Sequence, residues 1–534
     1  MAYVPILFVF VPILSALIVY LFKNERSVST IFVAQLALIV LFVLYALHIG
    51  EHPEDALLVF GNLDARFAIS FFNDDLSLTF VGLSILMWTV IALYTYRTNK
   101  SQTQFIFFLM FLEGVFLALI QTNDLFNLFV FLELTTVLVT ILIAYKKTGK
   151  SFRAGIYYLL LNTVAAMFFL IGIILIYYAY GTINIAILTE EMAFHSATDT
   201  VRLAYVFMMS GISVKAALFP VFMWLPRAHG VAQSTISALL SGLIVKGALY
   251  LFIRINREMF ALADYAMHDV FFWLGTITAF IGVVFALTQK DLKQILAYHT
   301  ISQVGIMLMG LSSAVDFSYF GGLLHVLNHA LFKGLLFLCA GVIIATYRTK
   351  KYDRIHGLFR TMPYLSVLLV IAMLSISGAP FFNGFVSKTM VKYAFQDDPV
   401  KMALFTAINL GTITSFIKFS MILFGPKQAV TRTRNGLQLL GMSILGVLCV
   451  AIGIFYLPLA DYLFGVDLSY VSVTDPMNVF EYLFYFLIGY LFYRYVIRKD
   501  YGPIRLLRSF NVTFENANYL FILYVLLLSL FLFV

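Results

Sequence analysis

At 534 residues, 62% hydrophobic and only 12% charged, the chain carries far more apolar surface than one aqueous core can hide. The net charge of +8 does not mark a nucleic-acid partner, because the basic residues are strung between apolar runs of bilayer-spanning length rather than gathered on one face. Only two cysteines occur, Cys339 and Cys449, both inside apolar runs, and there is no glycine-rich phosphate loop or paired-histidine zinc motif. A disulfide framework and a cysteine-ligated cluster are thereby excluded, and no cofactor of the chain's own is expected.

The hydrophobic pattern predicts an all-α polytopic membrane protein with about sixteen transmembrane helices. Their centres fall near residues 12, 38, 85, 112, 134, 166, 211, 243, 277, 303, 331, 376, 412, 446, 488 and 525. The first, Tyr3 to Phe22, is followed rather than preceded by its basic residues, Lys23 and Arg26. That order fits a first span rather than a cleaved signal. Lysine and arginine then collect in the loops after odd-numbered spans: Arg97 and Lys100, Lys146 to Arg153, Arg227, Lys290 and Lys293. The series continues with Arg348 to Arg360, with Lys427, Arg432 and Arg434, and with Arg494 to Arg508. Loops after even spans hold few basic residues and most of the acids, in "EHPED", "TEEM" and "QDD". By the positive-inside rule the basic loops face the cytoplasm and both termini lie outside a cell (plasma) membrane.

A weak internal repeat follows. The seventh span carries lysine beside a proline ("SVKAALFP"), and the twelfth carries proline, glycines and lysine ("SGAPFFNGFVSK"). Each precedes a span with a buried lysine, "SGLIVKGALYLF" and "TSFIKFSMILFG". The offset is five spans, and an odd offset turns the two copies upside down relative to one another. Four segments are expected: 1–100, a three-helix segment; 101–258 and 259–428, the two repeats; and 429–534, a C-terminal three-helix segment.

Five lysines lie inside spans: Lys215, Lys246, Lys333, Lys388 and Lys418. Each costs roughly 2.5–3.5 kcal/mol at a helix centre on insertion scales. Snorkelling is the plain alternative for Lys388 and Lys418, which lie toward span ends. Lys215 and Lys246 lie nearer mid-span, where a buried ammonium needs a partner. Glu133, in "NLFVFLELTTVLVT", is the carboxylate deep within the fifth span, and Glu113 in the fourth is a weaker candidate. Pro220 lacks an N–H and would free the Ala216 carbonyl beside Lys215, and Pro226 would likewise free that of Phe222. Broken backbone at membrane depth is tolerated where it is buried in protein or lines a wet cavity. Lysine beside freed carbonyls and water is a group that can exchange a proton. In the eleventh span, "HVLNHALFK" sets His325, His329 and Lys333 at i, i+4 and i+8 on one face. Histidines on apolar helices are usually satisfied core residues, but three titratable groups in a row favour a relay. No nearby carboxylate or cysteine completes a metal site. His299 and Gln303 in "QKDLKQILAYHTISQVG" extend the polar path.

These residues resemble the antiporter-like subunits shared by Mrp-type cation/proton antiporters, respiratory complex I and membrane-bound hydrogenases. The resemblance covers about residues 70 to 425, on "DDLSLTF", "NLFVFLEL", "KAALFPVFMWLPRAHG", "KDLKQILAYHTISQVG", "HVLNHALFKGLLFLCAG" and "SISGAPFFNGFVSK". It implies a fourteen-helix core with two inverted five-helix repeats, each with a broken helix, here at Pro220 and Pro380. It also implies that Glu133, Lys215, Lys246, His325, His329, Lys333 and Lys388 sit at proton-pathway positions; Lys418 joins them as a buried lysine. The family usually has an acidic residue where this chain has Arg227. Two further C-terminal spans appear, separated by Ile497 to Asn516, too short for the long lateral helix of the largest complex I subunit. The eighth span has Leu240 where larger subunits often have histidine. Together these favour an Mrp D-type subunit working with other membrane subunits. The alternatives are a proton-pumping subunit of a redox complex, whose redox groups would reside in partners, or of an inorganic-carbon uptake complex.

Overall fold

The computed structural model describes residues 1, 3–25, 27–61, 64, 66, 68–99, 102–194, 198–260, 266–430, 435–465, 468 and 471–533. Arg26, Lys100, Arg432 and Arg434, which contribute to the charge-based topology, lie outside the described residues. A helix stands at every one of the sixteen predicted centres. Twelve of these helices are long and apolar enough on their own to cross a membrane. The other four have readable causes. Asp199–Lys215 and Pro363–Ser377 are the leading halves of broken helices. Pro476–Phe492 continues as a π-helical turn, Tyr493–Ile497. Leu292–Leu311 is buried at every residue but Gln294 and rich in polar side chains, so its composition rather than its length lowers its hydropathy.

The chain divides into two compact units. One comprises Met1–Ala216, Leu243–Met267 and the residues from Phe514 onward. Here the sixth span, Gly149–Tyr180, lies along the seventh, Asp199–Lys215, with glycine at the contact. A Cβ on Gly211 would stand 2.6 Å from the Ala165 carbonyl oxygen, so only glycine lets these backbones approach as they do. The last span, Phe514–Phe533, packs on the seventh, where Tyr524 and Ser213 share a 2.8 Å hydrogen bond. The one β-sheet among the described residues is a short antiparallel pair, Leu57–Val59 with Ser70–Phe72. The other unit comprises Ala217–Gly242 and His268–Thr513. Its ninth and tenth spans pack backbone to backbone: a Cβ on Gly305 would stand 2.4 Å from the Ala279 nitrogen.

Both predicted breaks occur. The seventh span ends at Lys215, the chain turns through 216–223 with Ala217 at φ 58°, and a second half, Trp224–Val231, follows. Pro220 lies in that turn, and Pro380 lies between Pro363–Ser377 and Asn383–Lys392, where Gly378 and Phe381 take positive φ. One expectation is corrected. Pro226 does not free the Phe222 carbonyl, because it stands in the first turn of Trp224–Val231, where its missing N–H is not needed. The Phe222 oxygen accepts from the Leu225 amide at 3.1 Å. Between the last two spans runs a single short helix, Gly502–Ser509.

Candidate functional site: two lysines at helix breaks

In the first unit, the fifth span begins where Asp124 caps it, its carboxylate accepting from the Asn127 amide at 2.6 Å. Glu133 and Thr136, three residues apart, then share a helix face. Lys215, the last helical residue before the break, reaches that face and is 9% exposed. Its ammonium donates to Thr136 Oγ1 at 3.0 Å and stands 3.7 Å from Glu133 Oε1. Thr136 itself donates to the Leu132 carbonyl at 2.9 Å, which frees its lone pairs for the lysine. The other carboxylate oxygen, Oε2, accepts from Thr163 at 3.3 Å. The ammonium is therefore held by a hydroxyl and attracted by a carboxylate it does not directly hydrogen-bond.

Glu113 takes no part in that pair. It is fully buried and accepts twice from the Gln35 side-chain amide, at 2.9 and 2.8 Å, while Gln35 Oε1 accepts from Thr89 at 2.9 Å. Lys246 is fully buried on Val245–Phe252, between two π-helical stretches, Leu240–Ile244 and Ile253–Met259. Such local unwinding often marks functional positions in helices. At the even-loop end of this unit, Arg254 clamps Asp74 and Glu258. Burial pushes the Asp74 carboxyl up, but the Arg254 guanidinium outweighs it and holds the group below the usual carboxylate range.

In the second unit, His325, His329 and Lys333 are all fully buried. His325 Nε2 donates to Gln303 Oε1 at 3.2 Å, and its Nδ1 shares a 2.8 Å hydrogen bond with the Ser387 hydroxyl. The rings of His325 and His329 are 6.4 Å apart. Lys333 turns to the tenth span and donates to the Leu296 carbonyl at 2.5 Å. The His299 and Phe416 rings pack with centroids 4.7 Å apart, tilted by 35°. Lys388, beside Ser387 on the trailing half of the broken twelfth span, donates to the Ile376 carbonyl at 2.7 Å and to Asn409 Oδ1 at 2.9 Å. Ile376 belongs to the last turn of Pro363–Ser377, where the Gly378 and Ala379 amides reach the Ser375 and Leu374 carbonyls and the lysine takes that of Ile376. The lysine thus supplies what the interrupted helix lacks. A cavity of about 60 Å³ reaches Lys388 and is also lined by Lys392, Asn409, Glu481 and Tyr482, room for a few waters.

Lys418 is different. Its ammonium donates to three carbonyls at the end of the ninth span: Ala286 at 2.9 Å, Leu287 at 2.8 Å and Gln289 at 2.9 Å. All three of its donors are engaged, as at a helix C-terminus stabilised by a cation.

Among the polar groups that escaped the sequence reading are Thr136, Ser387, Asn409 and Glu481. Thr136 follows Glu133 at helical spacing and Ser387 precedes Lys388, so both carried a local signal. Asn409 and Glu481 come from the thirteenth and fifteenth spans, and nothing local assigns them to Lys388.

A family model described as "NADH:quinone oxidoreductase/Mrp antiporter, TM" matches residues 122–417, which includes both helix breaks and stops one residue short of Lys418. The chain is 29% identical over 471 residues to the D-type subunit of a Na(+)/H(+) antiporter of Alkalihalophilus pseudofirmus, covering 86% of this chain and 95% of that protein. Its fold matches a chain of the Mrp complex from Dietzia sp. DQ12-45-1b with a TM-score of 0.77, at 23% identity over 88% of this chain and 99% of that one. It matches a chain of the membrane-bound sulfane sulfur reductase, an archaeal respiratory membrane complex, with a TM-score of 0.78, at 24% identity over 90% and 99%.

Proposed function

The chain belongs to the NADH:quinone oxidoreductase/Mrp antiporter transmembrane family, and on that premise we propose that it is the proton-translocating D-type subunit of a multisubunit monovalent cation/proton antiporter. The cation is Na+ or K+, the membrane is the cell membrane, and both termini face outward, because the basic loops follow the odd-numbered spans. Other membrane subunits complete the assembly, in keeping with a relative that is itself one subunit of an antiporter.

The observation that carries the reading is the position of Lys215. It ends a broken helix, is nearly buried, and has a hydroxyl at 3.0 Å and a carboxylate at 3.7 Å. An amine can pass a proton on and take another, and at 3.7 Å the carboxylate is too far for a direct hydrogen bond and so does not lock the ammonium in place. Glu133 supplies the countercharge and Thr136 the orientation. Lys246 continues the series in the same unit. In the other unit His325 and His329, Lys333 and Lys388 form the corresponding series, with Gln303, Ser387 and Asn409 fixing the orientation of His325 and Lys388. Lys418, at the edge of the series, holds a helix end beside a polar cavity.

A second reading, a proton-pumping subunit of a redox complex, draws on the equally good fold match to the sulfane sulfur reductase chain. One measurement separates the two: cation-driven proton flux in everted vesicles, without any reductant, normalised to assembled complex. Flux driven by Na+ or K+ and lost in Lys215→Ala supports the antiporter; proton movement that requires an electron donor overturns it.

A further inference from the structure

A cavity of about 450 Å³ opens in the second unit where the ninth, thirteenth and fifteenth spans end. These are the ends of odd-numbered spans, the basic side of the molecule. Five cationic side chains line it: Lys290, Lys418, Arg494, Arg498 and Arg508. Two carboxylates oppose them, Asp353 and Asp500. Asp500 is committed, paired with Lys290 at 3.0 Å and with the Arg508 guanidinium. Arg508 is further fixed by donating to the Thr288 carbonyl at 2.6 Å. Arg494 and Arg498 stand exposed at the rim, and among the described residues neither pairs with a carboxylate. The site is therefore a basic recess with a fixed interior and two exposed cations at its mouth.

Its surroundings name the ligand. Tyr352, Tyr490 and Tyr493 line the same cavity, amphipathic aromatics of the kind that sit at headgroup level. On the fifteenth span, Leu487 and Leu491 are exposed one to two turns before the rim arginines, Arg494 and Arg498. An anionic headgroup in the recess would thus have its acyl chains beside exposed leucine on the same helix. Basic pockets between transmembrane helices at the cytoplasmic surface are the recurrent design for such headgroups. A volume of this size also suits a headgroup rather than a single water or ion.

We propose that this recess binds the phosphate headgroup of an anionic phospholipid of the cytoplasmic leaflet, with Arg494 and Arg498 as the electrostatic contacts and the fifteenth span as the acyl-chain support. The inference uses the membrane orientation but not the transport activity, so it stands or falls separately from the antiporter reading. The fifteenth span, which supplies both rim arginines, lies beyond the matched family region.

The test is lipid retention by the membrane-extracted assembly, delipidated and then offered phosphatidylglycerol, phosphatidylcholine or inorganic phosphate, read by native mass spectrometry and thermal stability. Phosphatidylglycerol is expected to be retained in preference to phosphatidylcholine. The double variant Arg494→Gln/Arg498→Gln is expected to bind it about thirtyfold more weakly, since each basic side chain near an anionic surface contributes about fivefold. Both side chains are exposed, so assembly should be unaffected, and cation-driven flux provides the check. Equal retention of the two lipids, or unchanged retention in the double variant, overturns the proposal. Protection by millimolar inorganic phosphate equal to that by phosphatidylglycerol makes the free ion the occupant and overturns the lipid assignment.

Discussion

Lys215 and Lys388 occupy the same kind of place and are held in different ways. Each stands beside a helix interruption and each is nearly buried, but only Lys388 donates to a carbonyl of the interrupted helix itself. Around Lys215 the partners are a threonine hydroxyl and a carboxylate. Around Lys388 they are a main-chain carbonyl and an asparagine oxygen, dipoles without net charge. The difference separates two ways to keep an ammonium at membrane depth. A countercharge makes the site neutral as a pair, so losing either member leaves the other's charge uncompensated. A cage of dipoles loses only part of its support when one dipole goes, because helix-end carbonyls remain available.

The largest expected effect is at Lys215. Lys215→Ala should lower cation-driven proton flux about a hundredfold, the lower end of what a positioned proton-transfer group contributes, with the complex still assembled. Lys215→Arg should fail as badly, because a guanidinium stays protonated and cannot relay. A purely structural ion pair predicts the reverse: arginine restores flux, and alanine reduces assembly. Near-normal flux in Lys215→Arg would end the relay reading and, with it, the functional half of the comparison.

Glu133→Gln and Asn409→Ala form the next pair, and their contrast tests the comparison itself. Removing the carboxylate should cost flux about tenfold or more, since the ammonium loses its only countercharge at ion-pair distance among the described residues. Removing the Asn409 amide takes one of two acceptors from Lys388 and should cost about threefold to tenfold, in line with the net contribution of one ordinary hydrogen bond. Flux measured at equal assembly checks both. Equal losses would mean that charge and dipole are interchangeable here.

How far these sites were legible follows from where their parts lie in the chain. Helix position came from apolar run length, which the bilayer thickness fixes, so all sixteen centres could be read. The Lys215 site was legible because a buried ammonium demands a carboxylate and Glu133 is the one deep within the fifth span. Its threonine follows from helical spacing. The Lys388 site was only half legible. A proline among glycines announces the break, but the acceptors are a carbonyl, which every residue has, and an asparagine from another span. Pro226 misled for a related reason: a proline in apolar sequence looks like a breaker until one knows that the helix begins there.

Glu481 sharpens the comparison from the side of the dipole cage. It lines the small cavity that reaches Lys388, yet it belongs to the fifteenth span. If that cavity carries protons to and from Lys388, Glu481→Gln should reduce flux about twofold to threefold, the loss of a charge-assisted contact at a wet site rather than of the relay itself. Unchanged flux would show that Lys388 exchanges by another route. In orientation terms, a cysteine placed in "YKKTGKSF" should be labelled from the cytoplasmic side only, and labelling from outside would reverse the assignment of both ends of each lysine site.

The smallest effect is expected at Asp500, which offers the same cation–carboxylate pairing outside the membrane. Arg508, and then Lys290, hold its carboxyl down to about 2. The sign follows from the depressed value. The folded state prefers the ionised carboxylate, so the pairing contributes stability that is fully present above the unfolded value near 4 and is lost as pH falls through about 2. Asp500→Asn should therefore melt lower than the native chain by about a degree at pH 5 to 8, because a part-exposed pair contributes only about 0–1 kcal/mol. The gap should close as the pH drops from about 4 toward 2, where the native carboxyl is itself protonated. Added salt should narrow the gap at pH 7, since water reaches this cluster. The Glu133–Lys215 pair, removed from bulk water, should show no comparable salt dependence in its effect on assembly. A melting difference at Asp500 that survives both acid and salt would mean that the carboxylate acts there through packing, and that burial is not what distinguishes the pair inside the membrane from the pair outside it.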